Sequence, residues 1–86
     1  MYKLKYRRKA RNYLARLPLK IKTAIVNKLH EVCLDPESTS LDIDILKGGE
    51  GFRLRVGQYR VIYTRDDYYL IIEVVKVRPR GDIYKR

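Results

Sequence analysis

Three arginines in one short stretch give the first sign of chemistry. In Gly51-Phe-Arg-Leu-Arg-Val-Gly-Gln-Tyr-Arg-Val-Ile-Tyr63, Arg53 and Arg55 alternate with Phe52, Leu54 and Val56, and Arg60 stands among Tyr59, Val61 and Tyr63. A guanidinium group is a planar fork of donors that grips phosphate oxygens in pairs and stays charged at any physiological pH. A cluster of them suits the holding of an RNA phosphate and the stabilisation of a phosphorane-like transition state. Arg78 and Arg80 come later, and Tyr84 lies six residues beyond Arg78. Neighbouring guanidinium charges favour a phenolate, so Tyr84 reads as a base or as a stacking platform for a nucleobase. Taken alone, a tyrosine near a chain end is more often a packing residue.

The arginines must be positioned by a hairpin. Two period-2 runs around a two-residue loop that opens on Gly57 predict antiparallel strands. With Gly57 and Gln58 as the loop, Val56 faces Tyr59, Arg55 faces Arg60, Leu54 faces Val61 and Arg53 faces Ile62. One face is then apolar and the other carries Arg53, Arg55 and Arg60. Like charges directly opposite each other cost roughly 0.2–1 kcal/mol, so the pairing of Arg55 with Arg60 implies an anionic partner. The alternative is that the arginine stems cover apolar surface while their charges face water.

The remaining elements follow in order. Tyr2-Lys-Leu-Lys-Tyr6 alternates as a strand, with Tyr2, Leu4 and Tyr6 on one side. Ala10, Tyr13, Leu14 and Leu17 form a helical stripe that Pro18 ends. Ile21, Ala24, Ile25, Leu29, Val32 and Cys33 form a second stripe, and Asp35-Pro36 closes that helix. Residues 35–50 read as an acidic loop pinned by Ile43, Ile45 and Leu46. The run Tyr68–Val77 is nearly continuous in apolar residues and reads as a central strand covered on both sides. Strand parity puts Glu73 on the face of Arg60, where an ion pair could position that arginine. Pro79 breaks the strand and Gly81 lets the basic tail turn back.

These elements predict one domain over residues 1–86, of the α+β class, in the order β-α-α-β-β-β. The sheet is small, twisted and mainly antiparallel, with the N-terminal helical hairpin packed on its apolar face. The arginine face then looks away from the helices.

Composition narrows the function classes. Twenty Lys and Arg against ten Asp and Glu give a net +10 in 86 residues, a field that implies a polyanionic partner such as nucleic acid. No stretch approaches the roughly 18–20 apolar residues of a spanning helix and no signal-peptide pattern is present, which argues against a membrane and for the cytoplasm. Cys33 is the sole cysteine and His30 the sole histidine, so disulfides, multi-ligand metal hydrolysis and a Ser-His-Asp triad are poor fits. No metal or cofactor is expected. His30 falls off its helix stripe and reads as surface; Cys33 reads as an inert buried thiol. Lys20, Lys22 and Lys28 read as a solvated face that can add nonspecific phosphate contacts.

The succession of a short strand, a basic helical hairpin ending in Leu-Asp-Pro, then Leu-Lys-Gly-Gly, Phe-Arg-Leu-Arg-Val-Gly-Gln-Tyr-Arg-Val-Ile-Tyr and Arg-Pro-Arg-Gly-Asp-Ile-Tyr resembles the RelE/ParE toxin superfamily, in particular its RelE-like branch. The resemblance spans essentially the whole chain. It implies an mRNA interferase of a type II toxin–antitoxin system that cuts mRNA in the ribosomal A site and is silenced by a cognate antitoxin. The implied reaction is attack of a ribose 2'-OH on the adjacent phosphate, leaving a 2',3'-cyclic phosphate and a 5'-OH. By position, Arg53 and Arg55 match the paired basic sites of the first hairpin strand and Arg60 the phosphate-binding arginine. Arg78 matches the transition-state or leaving-group arginine and Tyr84 the terminal tyrosine. Arg80, Lys85 and Arg86 are further candidates for RNA contact, and Glu73 is a candidate for positioning. Well-known RelE-like toxins carry lysines where this chain has Arg53 and Arg55; arginine is a poor base, so the resemblance shifts proton transfer toward Tyr84. Two alternatives stay open: a ParE-like gyrase poison with the same fold, and a nonenzymatic RNA-binding module.

Overall fold

Alternation puts Leu4 and Tyr6 on the buried side of the first segment and Lys3 and Lys5 in solvent, and in the computed structural model that segment is strand β1 (Lys3–Tyr6). The structure describes residues 1–49 and 51–79. Arg80, Tyr84, Lys85 and Arg86 therefore lie outside the described residues. Helix α1 (Arg8–Ala15) buries Ala10 and Leu14, and helix α2 (Leu19–Leu34) buries Ile25, Leu29, Val32 and Cys33. Pro18 caps the start of α2 with φ of −55°, a value its ring favours, so the connection between the helices is short. Ala24, expected on the packed stripe, is exposed.

Four more strands follow: β2 (Ile43–Ile45), β3 (Phe52–Val56), β4 (Tyr59–Asp66) and β5 (Ile71–Pro79). They form a five-stranded sheet in the order β1-β5-β4-β3-β2. Strand β1 runs parallel to β5, and the other neighbours are antiparallel. The α+β class and the mainly antiparallel sheet are as the sequence implies, with one strand more. Periodicity leaves residues 43–45 in a loop; the structure makes them the outermost strand, with Ile43 opposite Leu54 and Ile45 opposite Phe52. Ile45 does not pin this segment, being 74% exposed, whereas Leu41 does, at 8%.

The hairpin has the register that its two-residue loop dictates: Val56 faces Tyr59, Arg55 faces Arg60, Leu54 faces Val61 and Arg53 faces Ile62. Gly57 takes a positive φ of 55° at the turn, where glycine carries no steric penalty. Leu54, Val56, Val61 and Tyr63 join Ile72, Val74 and Val77 and the helix stripes in one core. Each fully buried aliphatic side chain there contributes about 1.5–3 kcal/mol, which fixes the helices to this face and leaves the other open. Burial also pushes the Tyr63 phenol up to about 12 and raises the Cys33 thiol. The Tyr2 backbone N–H donates to the Cys33 carbonyl at 3.0 Å, tying the start of the chain to the last turn of α2.

Strand β5 is interior, between β1 and β4, but it starts later than its apolar run. Tyr68 and Tyr69 belong to an exposed turn. The Asp66 carboxylate accepts both of their backbone N–H groups at 2.9 Å, an Asx-type arrangement that competes with strand pairing. Between Ile62 and Tyr63 the β4–β5 register slips: Ile62 faces Lys76, Tyr63 faces Val74, and Val75 is left as a bulge. Among the described residues no helix is long and apolar enough to cross a membrane.

Candidate nucleic-acid interface

The sheet face turned away from the helices is organised by register into rows that cross the strands. One row runs Arg55, Arg60, Arg78, because Arg60 of β4 faces Arg55 of β3 on one side and Arg78 of β5 on the other. The next runs Asp44, Arg53, Ile62, Lys76. The third runs Thr64, Glu73, Lys5. Directly opposed residues have Cα atoms about 4.5–5.5 Å apart, so three guanidinium groups share a strip roughly two strand spacings wide.

A concavity of about 480 Å³ opens on this face. Arg7, Arg53, Arg60, Lys76 and Arg78 line it, around Leu46, Ile62, Thr64 and Val75. No carboxylate stands among these described lining residues. The arrangement thus brings together Arg53, Arg60 and Arg78 of the arginines singled out in the sequence. It adds Arg7 and Lys76, which sequence reasoning missed. Lys76 had a signal, since it lies two residues before Arg78 in one strand and therefore shares its side. Arg7, just beyond the end of β1, had none.

Charge is compensated unevenly across the face. Arg53 Nη2 donates to Asp44 Oδ2 at 2.9 Å. Arg55 Nη1 meets Asp44 Oδ2 at 2.9 Å and Asp42 Oδ1 at 3.1 Å. The hydrogen bond from Arg53, with the Arg55 charge beside it, holds the Asp44 carboxyl below its usual 3.8; the Asp44 charge in turn raises Arg55. Arg55 shares the face but does not line the concavity. Among the described residues no carboxylate lies within ion-pair distance of Arg60, Lys76 or Arg78. The Nε atoms of Arg53 and Arg60 are buried and have no hydrogen-bond partner among the described residues. A buried donor without a partner is costly, and an oxyanion would supply one.

Glu73 does lie on the face of Arg60, but it does not pair with it. It stands opposite Thr64, four residues along β4 and about 13 Å from Arg60 at the rise of a strand, and its Oε2 is 3.6 Å from Arg7 Nε. His30 is exposed and Cys33 buried. Tyr84, Arg80, Lys85 and Arg86, which the sequence places in the tail, fall outside the described residues. Among the described residues no three His, Cys, Asp or Glu side chains gather as metal ligands. What the face offers an anion is a set of guanidinium and ammonium charges, four of them on strands β3, β4 and β5 and one at Arg7.

Comparison with known proteins places this architecture. A family model of the ParE toxin of the type II toxin–antitoxin system parDE matches residues 4–84. An Escherichia coli protein described as a RelE-like toxin is 32% identical over 85 residues, covering 96% of this chain and 90% of the relative. The RelE–RelB complex of Pyrococcus horikoshii OT3 superposes with a TM-score of 0.80 at 26% identity, covering 93% of this chain and 96% of that one. The isolated E. coli RelE toxin gives 0.77 at 21% identity over 98% and 92% of the two chains, a likeness of fold.

Proposed function

This chain belongs to the RelE/ParE superfamily of toxins from type II toxin–antitoxin systems, and we propose that it acts as a ribosome-dependent endoribonuclease on mRNA in the A site. The observation that carries this reading is the concavity on the open sheet face, where Arg60, Lys76 and Arg78 stand without acidic partners among the described residues. Arg60 and Arg78 face each other across neighbouring strands, so one phosphate between them relieves their repulsion and receives donors from two sides.

In this reading a ribose 2'-OH attacks the adjacent phosphorus, the P–O5' bond breaks, and a 2',3'-cyclic phosphate and a 5'-OH result. Arg60 and Arg78 hold the non-bridging oxygens as charge builds on them. Arg53, its charge met by Asp44, turns a remaining N–H from the neighbouring strand to that same phosphate and takes none of its own, and Arg55 backs it from outside the concavity. Proton transfer is assigned to Tyr84, because arginine does not serve as a base. Arg80, Lys85 and Arg86 are assigned further contacts to the RNA by their charge. No metal is required by this scheme. Complexes of relatives with RelB support a cognate antitoxin as the physiological inhibitor, and an mRNA substrate on the ribosome puts the protein in the cytoplasm.

A gyrase poison of the same fold is the second reading, favoured by the ParE description of the matching family model. Induction of the wild-type chain and of Arg60→Ala, followed by mapping of mRNA 5' ends and of gyrase-linked DNA breaks, separates the two. The ribonuclease reading expects codon-phased mRNA ends that Arg60→Ala abolishes. DNA breaks with intact mRNA overturn it.

A further inference from the structure

The two halves of the arginine face differ in net charge. On the β2–β3 half, Asp42 and Asp44 stand against Arg53 and Arg55 at 2.9–3.1 Å, two carboxylates for two guanidinium groups. On the β4–β5 half, Arg60, Lys76 and Arg78 have no such partner among the described residues, and Arg7, just after β1, meets Glu73 at 3.6 Å. These aspartates are not incidental neighbours. Asp44 is the register partner of Arg53 in the β2–β3 ladder, and the backbone N–H of Arg55 donates to the Asp42 carbonyl at 2.9 Å. The same backbone that pairs the strands therefore sets the carboxylates beside the arginines.

We propose that Asp42 and Asp44 are positioning and specificity residues: they retain Arg53 and Arg55 as internal ion pairs, make β2 an anionic border, and confine RNA phosphates to the β4–β5 half. The inference rests on the reading of this face as an RNA surface. An incoming phosphate finds on one side three cations with no carboxylate partner among the described residues and, on the other, guanidinium groups whose charge is largely met. Carboxylates at the border repel a second phosphate that would cross β3 toward β2. The strand of RNA thus runs along β4 and β5, past Arg60, Lys76 and Arg78, rather than across the whole sheet.

The test is the salt dependence of binding of a fluorescein-labelled ten-nucleotide single-stranded RNA to the full chain. Each phosphate neutralised on a single strand contributes about 0.7 to the slope of log K against log salt. In Asp42→Asn/Asp44→Asn the freed arginines take up to two more phosphates, so the slope steepens by roughly 0.7–1.4 and binding at 0.1 M salt tightens about 5- to 25-fold. Adding Arg55→Gln to that variant removes about half of the added slope, and adding Arg53→Gln as well removes the rest. Asp35→Asn raises the net charge by one at a residue that neither lines the concavity nor holds a cation in an ion pair among the described residues, and its slope stays near that of the wild type. A slope unchanged in Asp42→Asn/Asp44→Asn, or weaker binding by a variant whose circular dichroism is native, overturns the proposal. So does an equal steepening in the remote variant, which would make the effect one of net charge. If the wild-type chain shows no salt-dependent RNA binding at all, the underlying reading of the face fails, an outcome distinct from an unshifted slope.

Discussion

The β2–β3 and β4–β5 halves of the open sheet face are built from similar residues and do different things with them. In the first, Arg53 and Arg55 meet Asp44 and Asp42, and their charge is spent within the protein. In the second, Arg60 and Arg78 oppose each other across neighbouring strands with no carboxylate in ion-pair distance among the described residues, so their charges repel. A contact that stabilises and a contact that waits for a ligand can therefore sit a strand apart. What separates them is whether the neighbouring strand brings a carboxylate into register.

The largest test of that contrast is Arg60→Ala. Removal of a donor aimed at developing charge costs about 10²–10³ in rate, so cleavage of ribosome-bound mRNA should fall by that amount. The melting temperature should hold or rise, since the like-charge opposition to Arg55 and Arg78 is relieved. Arg55→Ala should behave in the opposite sense. It strands Asp42 and leaves Asp44 with Arg53 alone, lowers the melting temperature by a few degrees, and loses that penalty in high salt, where exposed pairs are screened. A fall in stability for both variants would erase the distinction between the halves.

Acid titration gives a smaller effect. The folded-state pKa of Asp44 lies below its usual 3.8 because Arg53 donates to it and Arg55 lies beside it. Its contribution to stability is therefore complete above that value and is lost as the pH falls through the folded-state pKa. Thermal melts between pH 5 and 2 should show a shallower acid limb in Asp44→Asn than in the wild type. Asp67, held low by Arg65 and then by Tyr2, should retain its part of the limb in that variant. The smallest change is expected for Glu73→Gln. It releases Arg7 into the concavity, so RNA should bind more tightly while cleavage stays within about threefold, as measured by separate binding and turnover assays.

Legibility in the sequence followed local constraint. The hairpin register could be read residue by residue because a two-residue loop and a period of two leave no freedom, and a slip by one would turn Leu54 and Val61 out of the core. Strand β2 could not, since three residues with an exposed Ile45 make no alternation; the edge of β3 turns them into a strand. The acidic partners had a faint signal: Asp42 and Asp44 are spaced by two, as are Arg53 and Arg55. The position of Glu73 along the sheet depended on a four-residue turn and a bulge at Val75, both set by tertiary pairing. Tyr68 and Tyr69 looked like strand by composition, but the Asp66 carboxylate captures their N–H groups.

The seam between the N-terminus and α2 has a consequence for dynamics. Cys33 is the chain's one thiol, 3% exposed, and its carbonyl accepts the N–H of Tyr2. The thiol borders a concavity with Tyr2 and Leu4, and at that exposure its labelling speeds up when the packing of this seam loosens. The rate of labelling is therefore an intrinsic clock for the breathing of β1 from α2, readable in the unmodified protein. A ligand on the distant sheet face that tightens the whole domain would slow that clock without touching the sulfur.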